Sequence, residues 1–175
     1  MVGPFLKAAA STGSRVYFVH GNWDARDTVV PPGVVTLHSR RDRLGALVIG
    51  GLGGSIPTPF ASPFEMSEDE SRRILEGLGR LEVLVSHCPP AQTKCDRAST
   101  GHIGSRAVRE YVERARPRLV LTAHVHEGRG IDRLGESVIV NPGALLDGNF
   151  AVLHLEGIIS VELKNAWRGS EEEPR

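Results

Sequence analysis

Three apolar runs in this chain each end in Asn or His, and this constrains the fold more than any other feature. Leu119-Val120-Leu121 leads toward His124-Val125-His126, Val16-Tyr17-Phe18-Val19 into His20-Gly21-Asn22-Trp23-Asp24, and Leu81 to Ser86 into His87-Cys88-Pro89-Pro90. Residues two apart in extended backbone project to the same side, so His124 and His126 can converge on one point. Imidazole is the commonest metal-binding side chain at neutral pH. Open α/β sheets place their binding crevices at the carboxyl ends of the strands, where all three runs deliver these groups. Singly, each residue has a plainer role. Asn22 can cap the turn after Gly21, His87 can be a loop residue, and His124 and His126 can be hydrogen-bonded core histidines. Their joint placement at three strand ends favours a metal site.

The rest of the pattern alternates between helix and strand. Phe5 to Ser11 reads as the tail of a helix ended by Gly13, followed by strands over Arg15–Val19, Val34–His38 and Ala46–Gly50. Ser67-Glu68-Asp69-Glu70 opens a helix that closes on Gly79, with the signature of a capping box. A strand over Glu82–Val85, a helix over Ser105–Ala115 and a strand over Arg118–Thr122 follow. The pattern then changes to two hairpins, Gly130–Arg133 with Ser137–Val140, and Ala151–Leu155 with Ile158–Leu163. Gly169 to Arg175 reads as a disordered tail. No repeat or linker divides the chain, and this order predicts an α/β sandwich of two sheets flanked by helices.

Composition sets bounds on function. At 175 residues and 40% hydrophobic, the chain can bury the core of one domain. Acidic and basic residues balance at 21 each, which gives no electrostatic case for a nucleic-acid surface. Leu44 to Phe64 carries no charge, but its glycines and prolines forbid a regular spanning helix, so no membrane partner is expected. Met1 to Gly13 lacks the basic flank and apolar core of a signal peptide. Cys88 and Cys95 form no disulfide framework, which suits a cytoplasmic location. Their spacing from His87 and His102 lacks the short knuckle of a structural zinc site. Gly50-Gly51-Leu52-Gly53-Gly54-Ser55 has neither the third glycine of a dinucleotide fingerprint nor the lysine of a P-loop.

Gly21-Asn22-Trp23-Asp24, Ser86-His87-Cys88-Pro89-Pro90, Ala123-His124-Val125-His126 and Asn141-Pro142-Gly143 resemble, in order and spacing, the motifs of calcineurin-like metallophosphoesterases. The resemblance runs from about Val16 to Leu155. The loop Gly53 to Phe60, and Thr93 to Asp96 leading to Gly101-His102-Ile103-Gly104-Ser105, are most similar to the small single-domain archaeal and bacterial branch. The resemblance implies an α/β fold, a four-layer α/β/β/α sandwich over residues 1–168. It also implies two divalent metal ions (Mn, Fe, Zn or Ni), with Asn22, His87 and His124 as ligands of the second ion and His126 of the first. Two such ions roughly 3.5–4 Å apart can polarise a phosphoryl oxygen for in-line attack. Trp23 stands where many members carry a His that protonates the leaving group; an indole can donate a hydrogen bond but is no acid near neutral pH. Trp23 and His102 are expected to contact substrate, although His102 can equally serve to open the helix that follows.

The family begins with DxH and GDxxD motifs on its first two strands, and these supply every carboxylate of the metal site. No Asp-x-His occurs here. The expectation is therefore a sandwich missing its first two strands, with a half-site of neutral ligands for one ion. Asp24 and Asp27 lie near Asn22, but Asp24 more plausibly orients its own turn. An incomplete N-terminus, a partner that covers the gap and a degenerate relic are the three explanations, and the undamaged downstream motifs favour the first. The leading functional reading is a metal-dependent phosphoesterase acting on a phosphomonoester or phosphodiester of a small molecule, with no catalytic residue assigned. The alternative is a non-catalytic protein-binding scaffold or relic on the same fold, similar to the retromer subunit, with the apolar gap and Trp23 as its binding face. Exposed sheet edges leave a homo-oligomer open.

Overall fold

The computed structural model describes residues 2–167; the expected tail from Gly169 lies outside them. Helix α1 (Gly3–Ser11) precedes strands β1 (Val16–Phe18), β2 (Val34–Thr36), β3 (Arg41–Leu44) and β4 (Leu47–Leu52). Helix α2 (Glu68–Leu78) and β5 (Val83–Ser86) follow, then a short hairpin of β6 (Arg97–Ala98) and β7 (Gly101–His102). Helix α3 (Arg106–Ala115), β8 (Leu119–Thr122), and two hairpins, β9 (Gly130–Leu134) with β10 (Ser137–Asn141) and β11 (Asn149–His154) with β12 (Ser160–Asn165), complete the chain.

Six strands form one mixed sheet in the order β3-β4-β5-β8-β10-β9, with β4, β5, β8 and β10 parallel. Because side chains alternate across a strand, each central strand feeds two cores. Leu84, Val120 and Ile139 point to one face, where they pack with Leu75 and Leu78 of α2 and Val108, Tyr111 and Val112 of α3. Val83, Leu119, Val138 and Val140 point to the other, toward Val35 of β2, Leu37, and Val161 and Leu163 of β12. Helix α1 lies on β1 and buries Leu6.

The second layer comes in two pieces. β1 and β2 form a parallel ladder, β11 and β12 an antiparallel one, and among the described residues no strand pairing joins them. Val85 and Leu121, on this face at the middle of the sheet, stay partly exposed while Val83 and Leu119 beside them are buried. This is the α/β/β/α arrangement with its second sheet split, as expected of a sandwich that lacks two interior strands.

Three local readings need correction. The strand expected from Ala46 is half of a hairpin whose first arm, Arg41–Leu44, has alternating exposure that its charged sequence conceals. At α2, Ser67 accepts from the Glu70 amide, but the return bond of a capping box is absent because Glu70 pairs with Arg26 at 2.9 Å. The Cys95–His102 region, read as loop, contains a helical turn at Lys94–Asp96 and the β6–β7 hairpin.

Gly51 marks where the layers touch most closely. A Cβ there would lie 2.6 Å from Val19 Cγ1 and 2.8 Å from Leu37 Cβ, so the second layer can seat on β4 only over a hydrogen atom. Gly51→Ala is expected to destabilise the fold by about 1–3 kcal/mol, the usual cost of overpacking, as read by urea denaturation; unchanged stability would contradict this packing.

Candidate metal centre

The parallel strands all end at one edge of the sheet, and backbone bonds continue across that edge beyond the strands. His87 N donates to Leu52 O at 2.9 Å and Ala123 N to His87 O at 3.1 Å, while Gly54 N donates to His20 O at 2.8 Å and ties the loop after β1, in the second layer, to the loop after β4. These bonds bring the Asn22, His87 and His124 loops side by side. Asn22 Oδ1 lies 3.1 Å from His87 Nε2 and 3.3 Å from His124 Nδ1. Three donor atoms from segments far apart in sequence thus meet at one point. His126, Trp23 and His102 line the same cavity, of about 660 Å³, so all six residues singled out in the sequence surround one space.

Each donor is aimed by neighbours. Asn22 Nδ2 donates to Ser62 Oγ at 2.9 Å, and Ser62 Oγ donates on to Glu65 Oε1 at 2.7 Å. That chain turns the amide so that its oxygen faces the histidines. The Glu65 carboxyl, held by the hydroxyls of Ser62 and then Thr58, is depressed to about 2, so it stays an acceptor. His124 has φ of +63°, in the left-handed region that costs a non-glycine residue about 1–2 kcal/mol. The buried Asn141 supports this turn: its Nδ2 donates to Val125 O at 2.7 Å and Cys95 O at 3.2 Å, while its Oδ1 accepts from Gly143 N. Asp24 caps its own turn by accepting from Gly21 N at 2.7 Å, and it does not line the cavity.

The electrostatics favour neutral imidazoles. Burial, followed by the neighbouring His124 and His126, pushes the His87 pKa down to about 3. Burial, then His126, lowers that of His124. Both rings therefore carry free lone pairs at neutral pH. Two imidazoles and an amide oxygen suit one borderline divalent ion. They do not suit two, since among the described residues no carboxylate lines the cavity. Among the described residues no three His, Cys, Asp or Glu side chains are grouped to hold a metal; the third donor here is Asn22.

His102 is fixed independently. Its Nδ1 lies 2.7 Å from Asp96 Oδ1, and Asp96 is wholly buried and also accepts from the amides of Gln92, Thr93 and Gly104. Sequence reading passed over Asp96, Ser62 and Glu65, because their roles lie in contacts with the loops of His102 and Asn22. The remaining histidines are structural or surface groups: His20 is buried against Phe18 and Phe64, His38 accepts from Gly53 N at 3.0 Å, and His154 is exposed. The cysteines are buried thiols, raised by burial to about 12 for Cys88 and about 11 for Cys95.

A family profile described as metallophosphoesterase, calcineurin superfamily, matches residues 34–165. The chain belongs to this superfamily. It is 31% identical over 145 residues to the uncharacterized protein MJ1162 of Methanocaldococcus jannaschii, an alignment covering 77% of this chain and 66% of that protein. The chain thus spans slightly less than two thirds of that relative. In fold it is similar to TT1561 of Thermus thermophilus (TM-score 0.67, 20% identity, 93% of this chain and 77% of that one). A second crystal structure matches with a TM-score of 0.73 at 20% identity, covering 93% of this chain and 70% of the other. Among the described residues no helix is long and apolar enough to cross a membrane.

The depressed His87 has a measurable consequence. Its folded pKa lies below the ordinary 6.5, so the unfolded chain takes up the proton first. Stability is then full above pH 6.5 and falls as pH drops toward 3, by up to about 1.4 kcal/mol per unit from this group. Urea midpoints taken between pH 7 and pH 4 in chelator should show this slope, flattened in His87→Gln; equal slopes in both proteins would contradict it.

Proposed function

We propose that this chain carries the metal-binding core of a phosphoesterase that hydrolyses a phosphomonoester or phosphodiester of a small molecule. The supporting observation is the convergence of Asn22 Oδ1, His87 Nε2 and His124 Nδ1 at the floor of one cavity. A divalent ion held there would supply Lewis acidity toward a phosphoryl oxygen. Asn22, His87 and His124 would be its ligands; His126 lines the same cavity and would be left for a second ion, whose other ligands these residues do not include. Manganese, iron, zinc and nickel all accept such a mixed nitrogen and oxygen set. Two buried free thiols suit a reducing compartment, and the cytoplasm is the proposed one.

The organic residues divide the remaining work. His102, with Nδ1 tied to Asp96, has its other ring nitrogen left to meet a phosphate or leaving-group oxygen. Asp96 is a positioning residue, acting through that ring. Trp23 can donate one hydrogen bond but no proton to a departing alkoxide. The split second layer and the carboxylate-free cavity favour a second reading, a non-catalytic scaffold on the same fold.

Hydrolysis of bis(4-nitrophenyl) phosphate with added Mn²⁺, by protein expressed from its complete reading frame, separates the two readings. Activity should require the metal, be lost in chelator, and drop at least about 100-fold in His124→Ala; His102→Gln should lower kcat by about 10²-fold without changing ion affinity. A folded, ion-binding protein without hydrolysis would leave the scaffold standing.

A further inference from the structure

Besides Asn22 and the histidines, the lining of the cavity is largely apolar and uncharged. Three exposed hydrophobic side chains line it: Trp23 at 67% exposure, Phe60 at 72% and Ile103 at 38%. Ile56, Pro57 and Pro59 continue the same wall. Among the described residues no Lys, Arg, Asp or Glu lines the cavity, and the titratable groups there are histidines. Large side chains left in water beside a polar centre mark a place where something apolar is bound.

The wall is tied by hydrogen bonds to the group that aims Asn22. Phe60 N donates to Thr58 Oγ1 at 3.2 Å, and Thr58 Oγ1 donates to Glu65 Oε1 at 2.6 Å. Glu65 is the same carboxylate that, through Ser62, aims the Asn22 amide. One hydrogen-bonded loop thus carries both the Phe60 backbone and the carboxylate that aims the Asn22 oxygen. Trp23 directly follows Asn22.

We propose that the site takes an ester with a single phosphoryl group carrying a flat, uncharged apolar ring, with the ring lodged between Trp23 and Phe60. This rests on the phosphoesterase reading above and names its substrate class. A second phosphate or a carboxylate on the ligand would meet no cation on this wall and would lose its hydration without replacement. A sugar lodged on this wall in place of a planar ring would likewise find few partners for its hydroxyls. Rings suit the wall better than open chains because indole and phenyl faces stack on planar groups. An aryl ester and a nucleoside monophosphate share this chemistry.

Trp23 is its own reporter, since the chain has two tryptophans and Trp167 lies away from the cavity. In a Trp167→Phe background loaded with Zn²⁺, which does not quench indole, emission is followed while phenyl phosphate, adenosine monophosphate or glycerol 2-phosphate is added. At least one ring-bearing ester should bind about ten-fold more tightly than glycerol 2-phosphate and be displaced by inorganic phosphate, and the better of the two identifies the source. Phe60→Ala, at an exposed position, should reduce that preference to within about three-fold. Equal affinity for all three esters, or ring binding that inorganic phosphate does not displace, overturns the apolar subsite and leaves the phosphoesterase reading intact. Failure of inorganic phosphate and all three esters to bind overturns both.

Discussion

The structure depends on backbone hydrogen bonds that continue across the sheet after the strands have ended. A parallel sheet aligns the carboxyl ends of its strands, but loops leaving that edge would ordinarily diverge. Here the bonds from His87 to Leu52 and from Ala123 to His87 carry the lateral pairing beyond the last regular strand residue, and the bond from Gly54 to His20 ties the loop after β1, in the second layer, to the loop after β4. They fix the level at which Asn22, His87 and His124 leave the sheet. Without them, three short polar side chains from segments up to 102 residues apart could not share one point.

Fine aim comes from groups that never reach the cavity. Asn141 holds a strained turn by accepting one local amide and donating to two carbonyls across the loop. Ser62 and Glu65 decide which end of the Asn22 amide faces the histidines, and Asp96 decides which nitrogen of His102 is free. All four lie at turns or loop starts, where backbone amides need acceptors in any case. The same bonds therefore serve stability and site geometry.

The sequence displayed much of this arrangement, for a definite physical reason. Apolar runs of three or four residues that lead into His or Asn can be read directly, because both burial and strand polarity are written in local order. The helices α2 and α3 are equally plain, the first from its Ser67 cap and closing Gly79, the second from the Gly104 and Pro117 that bound it. Other features were hidden. The β3 arm, Arg41 to Leu44, is an edge strand whose charged residues face water, so it shows no apolar run. Asp96 and Glu65 act through tertiary contacts, and local pattern carries no signal of these. The split of the second layer could be anticipated only from the absence of the DxH and GDxxD motifs, never from the residues that are present.

The central claim is that this chain by itself holds one complete set of neutral donors and only a fragment of a second. Calorimetric titration of the 175-residue chain with Zn²⁺ tests it most directly. One ion per chain, with binding lost in both His87→Ala and Asn22→Ala while each variant keeps its fold, is the expected result. Two ions per chain, or one ion that survives both substitutions, would contradict it.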